Sequence, residues 1–146
     1  APFGWVIDIR TRPGYWLALL YQRGLTLEEA QEKNEWMYIN FWKREEKNES
    51  IQDLLKIQEA NFADLNPKIE MLPTIKRSGN NTALRKVIID TYPCPEYTGF
   101  VEFENFIFYV VMFSPTELEK KNIRKLENII MKVKPGIVKH ETNTSS

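Results

Sequence analysis

The stretch Phe106-Ile107-Phe108-Tyr109-Val110-Val111-Met112-Phe113-Ser114-Pro115-Thr116-Glu117 decides how the chain is read. The run to Phe113 is aromatic, β-branched and of strand length. Ser114 then offers a helix cap, and Pro115 suits a first helical position, where its missing N–H costs nothing. Glu117 closes a capping box. Leu118, Ile123, Leu126, Ile129, Ile130 and Val133 follow at helical spacing on one face, and Lys134-Pro135-Gly136 stops the helix. Ile137-Val138 opens another extended piece, so residues 106–138 are predicted to form strand, helix and strand.

Working back toward the N-terminus, Gly99-Phe100-Val101-Glu102-Phe103 alternates like a strand with one wet face. Glu104-Asn105 turns it into the following strand as a hairpin. Residues 82–92 support two readings: Ala83-Leu84-Arg85-Lys86 favours helix, whereas Val87-Ile88-Ile89 favours strand. Pro67, Pro73, Gly79 and Asn80-Asn81 mark 66–81 as a loop. Upstream, Ser50 caps a helix carrying Ile51, Leu54, Leu55 and Phe62. Thr26-Leu27-Glu28-Glu29 is a capping box opening a helix to about Lys47, with Leu27, Ala30, Met37, Tyr38, Phe41 and Trp42 on its apolar side. Pro13 to Arg23 is expected to be a short helix ended by Gly24.

The expected fold class is therefore α+β: a helical N-terminal half with a small C-terminal β-hairpin–helix–strand unit. The divisions are an extended arm (1–12), a helical region (13–65), a loop (66–81), an α+β region (82–141) and a polar tail (142–146).

With 146 residues, 42% hydrophobic, the chain can bury one real core. Its net charge is zero, so no global field draws it to nucleic acid or an anionic membrane. Charge is uneven along it, acidic over residues 45–70 and basic in the last helix. The apolar run Trp16 to Tyr21 is too short to span a bilayer. The single cysteine, Cys94, excludes an internal disulfide and suits a reducing compartment. Ala1-Pro2 reads as a start from which methionine was removed, giving the expectation of a soluble intracellular product.

The chemical readings fail for want of residues. His140 is the sole histidine and Cys94 has no thiol partner, so no metal set or nucleophilic triad is expected. Neither a Walker nor a Rossmann glycine spacing occurs. Glu102 and Glu104 share a strand face, where the expected role is to keep an edge wet. The expectation is no enzyme, no cofactor and no metal. A nucleic-acid-associated adaptor would rest on Lys76, Arg77, Arg85 and Lys86 gathering beside aromatics.

The tryptophans are more telling. Trp5, Trp16, Trp36 and Trp42 all fall in the first 42 residues, and such rings dominate protein–protein hot spots. Trp5, Trp16 and Trp42 are the expected interface anchors.

The closing stretch Phe106-Ile107-Phe108-Tyr109-Val110…Ser114-Pro115…Ile123…Leu126…Ile129-Ile130…Lys134-Pro135-Gly136 resembles the C-terminal region of bacteriophage tail proteins of the Mu-like and "tail protein I" type. The likeness covers roughly a quarter of the chain and departs at Gly136, where alanine is more familiar. It implies a structural subunit of a phage-tail baseplate, wedged between larger tail proteins in a hetero-oligomer of the virion and assembled in the host cytoplasm. Lys134, Pro135 and Gly136 would be its structural corner. The alternatives are a head–tail connector or completion protein, or the nucleic-acid adaptor above.

Overall fold

A computed structural model describes residues 5–12, 15–22, 24–33, 36–46 and 49–134, the first two segments by their backbone. The strands are β1 (Trp5–Arg12), β2 (Tyr15–Gln22), β3 (Trp36–Lys43), β4 (Lys68–Leu72), β5 (Thr82–Ile88), β6 (Glu96–Glu102) and β7 (Phe106–Phe113); the helices are α1 (Leu27–Glu32), α2 (Ile51–Asn61) and α3 (Glu119–Lys132). The strands form one seven-stranded sheet in the order β1-β2-β3-β7-β6-β5-β4, and every pairing is antiparallel.

β7 lies at the centre and is apolar on both faces, as a strand covered from two sides must be. On one face, Leu126 and Ile130 of α3 pack on Leu84, Tyr97, Val101, Phe108 and Val110. On the other, Ile51 and Leu54 of α2 pack on Ala83, Phe100 and Ile107, flanked by Trp42, Leu55 and Tyr109. Odd and even positions of each strand point to opposite faces, so the molecule is a helix–sheet–helix sandwich. Gly99 permits the close approach of α3. A Cβ there would lie 2.6 Å from the Cδ1 of Ile130.

Polar clips fix the helices. Glu102 accepts from the backbone N–H of Ile51 (3.0 Å) and so caps α2 from the sheet. Arg44 lies 3.8 Å from Glu102 and donates to the carbonyls of Glu49 (2.5 Å) and Phe103 (2.6 Å). On the other face Glu119 accepts from Lys86 (2.7 Å) and Tyr97 (2.6 Å), tying down the start of α3.

The helical N-terminal half is overturned. The capping box at Thr26 and Glu29 forms, yet α1 stops at Glu32 and residues 36–43 are strand. Met37, Tyr38, Phe41 and Trp42 fit a helical stripe, but the same segment is also a near-continuous apolar run of strand length. Pairing with β7 from Met37↔Met112 to Lys43↔Phe106 selects the strand. The expected short helix after Pro13 is β2, the supposed arm pairs with it as β1, and the 66–81 loop contains β4. Residues 82–88 resolve as strand, because β5 pairs on both sides.

Ser114 does not cap a helix. It is buried, accepts from Asn122 (2.7 Å), and a 3-10 turn precedes α3. That helix ends at Lys132, with Val133 already extended; Lys134 is exposed. Pro135, Gly136, the 137–138 strand and the 142–146 tail lie outside the described residues.

Candidate functional site

The most distinctive arrangement of polar groups and rings lies on the α2 side of the sheet, beyond the end that α2 covers. Strand register builds it in rows. Tyr38 is opposite Val111, Val111 opposite Thr98, Thr98 opposite Arg85, and Arg85 opposite Met71. Asn40 lies opposite Tyr109 on the α2 side of this row. On its other side Phe113 is opposite Glu96 and Glu96 opposite Val87.

Arg85 is the buried cation of the site, only 2% exposed. Its carboxylate partner is Glu96, with Nη2 3.7 Å from Oε1. The guanidinium also lies over Phe100 (5.2 Å) and Phe62 (5.6 Å), which clasp it between the sheet and the end of α2. Its Nε and Nη1 have no hydrogen-bond partner. Burial lowers the Arg85 pKa against the opposing pull of Glu96, and an arginine remains charged regardless. Burial likewise pushes the Glu96 carboxyl up, while Arg85 and the Thr98 hydroxyl (3.2 Å) draw it back. The Tyr38 and Tyr109 phenols are raised, mainly by burial, so both are hydroxyl donors at neutral pH.

Beside this polar floor runs a line of rings. Tyr38 is 5.8 Å from Trp36, Trp36 stacks on Phe113 at 5.6 Å, and Phe113 meets the edge of Tyr92 at 6.4 Å. Tyr92 is 40% exposed, and Tyr38, Trp36 and Phe113 are half-buried. None of the four belongs to the apolar cluster under α2.

The inventory suits recognition: one cation, one carboxylate, phenolic donors and aromatic area. Burial raises the Cys94 thiol, which removes the usual route to a reactive thiolate. Among the described residues no three His, Cys, Asp or Glu side chains gather as a metal site, and no helix is long and apolar enough to cross a membrane.

The residues singled out by sequence do not converge. Trp42 flanks the α2 cluster and is half-buried. Trp5 and Trp16 lie on the backbone of β1 and β2, near opposite ends of that hairpin, and their side chains fall outside the description. The four cations proposed for nucleic acid are dispersed. Lys76 is exposed, while Arg77 donates to the Ile130 carbonyl (2.9 Å) and covers Phe103. Arg85 is buried between Phe100 and Phe62 at the end of α2, and Lys86 points to the opposite face, toward Glu119. These four residues do not share one basic surface. Glu102 is a helix cap rather than a wet edge. Sequence reasoning missed Trp36, Tyr38, Tyr92, Glu96, Tyr109 and Phe113; the aromatic-rich apolar run Trp36-Met37-Tyr38-Ile39 was the signal that could have found the first two.

No family model matches the chain, and no curated protein matches it. Among solved structures it is similar to the solution structure of cyanobacterial PsbP (CyanoP) from Synechocystis sp., with 11% identity, a TM-score of 0.54, and 89% of this chain and 80% of that chain covered. At that identity the likeness is one of fold. It overturns the phage-tail resemblance and everything drawn from it: the baseplate or connector role, the tail-protein partners and the virion setting. The quoted strand is the centre of the sheet and the quoted helix covers one of its faces, so they are not a terminal unit appended to a helical half.

Proposed function

We propose that the chain is a non-enzymatic docking domain that holds a partner protein against the aromatic row of β3 and β7. The observation that carries this is the contact line Tyr38–Trp36–Phe113–Tyr92, half-exposed beside a buried Arg85–Glu96 pair. Large amphipathic rings give contact area at small entropic cost, and they dominate interface energetics. The polar groups beneath are held by sheet register, so the surface is preorganised. A non-catalytic role fits the raised phenols and thiol, none of which is activated for attack. Fold likeness adds no partner, because one fold hosts many functions.

The test places a photo-crosslinking benzoyl-phenylalanine at Tyr92 and, as a control, at Ile57, which is exposed on α2. In the native cell the Tyr92 position should give one dominant protein adduct and Ile57 none. Adding Trp36→Ala should cut the adduct about tenfold or more, as expected for a hot-spot ring. Equal labelling at both positions, or no protein adduct at Tyr92, would overturn the proposal.

A further inference from the structure

The sheet has an open margin at β4. Among the described residues this strand pairs with β5 alone, so every second backbone N–H and C=O along it points away from the sheet. Open margins are normally protected by charge, because a lysine facing its own copy repels it. In β4 that protection cancels itself. Lys68 and Glu70 are two apart and share the α3-side face, while Ile69 and Met71 share the other. Met71 is 49% exposed, and Ile75 just beyond the strand is 51% exposed.

Consider two copies joined antiparallel about a two-fold axis normal to the sheet, which keeps each face continuous. Opposed residues must then differ by an even number. Centring the pair on Glu70 sets Glu70 against Glu70, and centring it on Lys68 sets Lys68 against Lys68. Centring it on Ile69 sets Lys68 of each copy against Glu70 of the other, with Ile69 against Ile69 on the opposite face. Only that central register avoids like charges among the three, and it also sets Met71 against Pro67 of the other copy. Opposite-charge cross-strand pairs stabilise and like-charge pairs destabilise, so of the β4 registers the one centred on Ile69 alone sets Lys68 against Glu70.

We propose that β4 is a homodimer interface, in which two copies join their sheets edge to edge with Ile69 on the two-fold axis. The dimer is isologous and therefore closed, and the α2-side aromatic row remains on each protomer. Lys68 and Glu70 are exposed in the single chain; Glu70 lies opposite Lys86 of β5 whereas Lys68 lies opposite Ile88, so Lys68→Glu is the variant that leaves the pairing within the chain least changed.

The experiment is sedimentation equilibrium on the full chain and three variants: Lys68→Glu, Glu70→Lys, and the double exchange. The wild type should be a monomer–dimer equilibrium. Each single variant turns two attractive contacts into two repulsive ones, which should weaken the dimer about tenfold or more. The double exchange should restore wild-type association. A wild type that stays monomeric at millimolar concentration would overturn the proposal, and so would single variants that dimerise like the wild type. Growth past the dimer would mean pairing of β4 with β1 of another copy and would overturn it equally.

Discussion

Replacing Gly99 with alanine tests how closely α3 is seated on the sheet. The added Cβ would meet Ile130 at 2.6 Å (Cδ1) and 3.0 Å (Cγ1), and Val110 at 3.6 Å. Ile130 is fully buried among Tyr97, Val101 and Leu126, so moving its tip disturbs packed neighbours. Overpacking of this kind costs about 1–3 kcal/mol. Alanine narrows the unfolded ensemble and so returns about 0.4–1 kcal/mol, leaving a net loss of about 1–2 kcal/mol. The assay is a urea-denaturation cycle with Ile130→Val, which removes the offending methyl and alone costs about 0.5–1.5 kcal/mol. With the Cδ1 clash gone, the double variant should lose less than the sum of the single losses. A Gly99→Ala protein as stable as the wild type, or strict additivity in the cycle, would refute the close-approach reasoning.

Two further outcomes are expected. Burial raises the Glu96 carboxyl in the folded state, so the native protein holds that proton to higher pH than the unfolded chain. The contribution of Glu96 is then greatest below the ordinary carboxylate range, and it is lost as pH rises from about 4 through the raised value; Glu96→Gln should flatten that fall in melting temperature measured against pH. Arg44→Ala removes charged donors from the Glu49 and Phe103 carbonyls and should lower stability by about 2 kcal/mol or more, read by chemical denaturation.

The parts of the molecule legible in the sequence are those whose local signals have one reading. Phe106 to Phe113 is too dense in aromatic and β-branched residues for anything but a buried strand, and the face carrying Leu126 and Ile130 has a helical period over the full length of α3. Thr26 with Glu29, and Ser50, mark true helix starts. The segment 36–43 was not legible, because its apolar run suits both a helix and a strand and only the long-range partner β7 chooses between them. The candidate site suffers from the same ambiguity. Trp36 and Tyr38 become surface neighbours of Phe113 only once that register is set. Arg85 read as a cation for the nucleic-acid alternative because nothing local announces that Phe62 and Phe100 will enclose it.

The place of β7 has a consequence for synthesis on the ribosome. It is the last of the described strands to emerge, yet it is the seam between β1-β2-β3 and β6-β5-β4. Until residue 113 has left the exit tunnel, the nascent chain can hold only two separate three-stranded ribbons, each with a raw inner margin. Closing that seam joins residues as distant in sequence as Met37 and Met112, a slow, non-local step. A stall before it presents two sticky selvedges to the cytosol or to a chaperone.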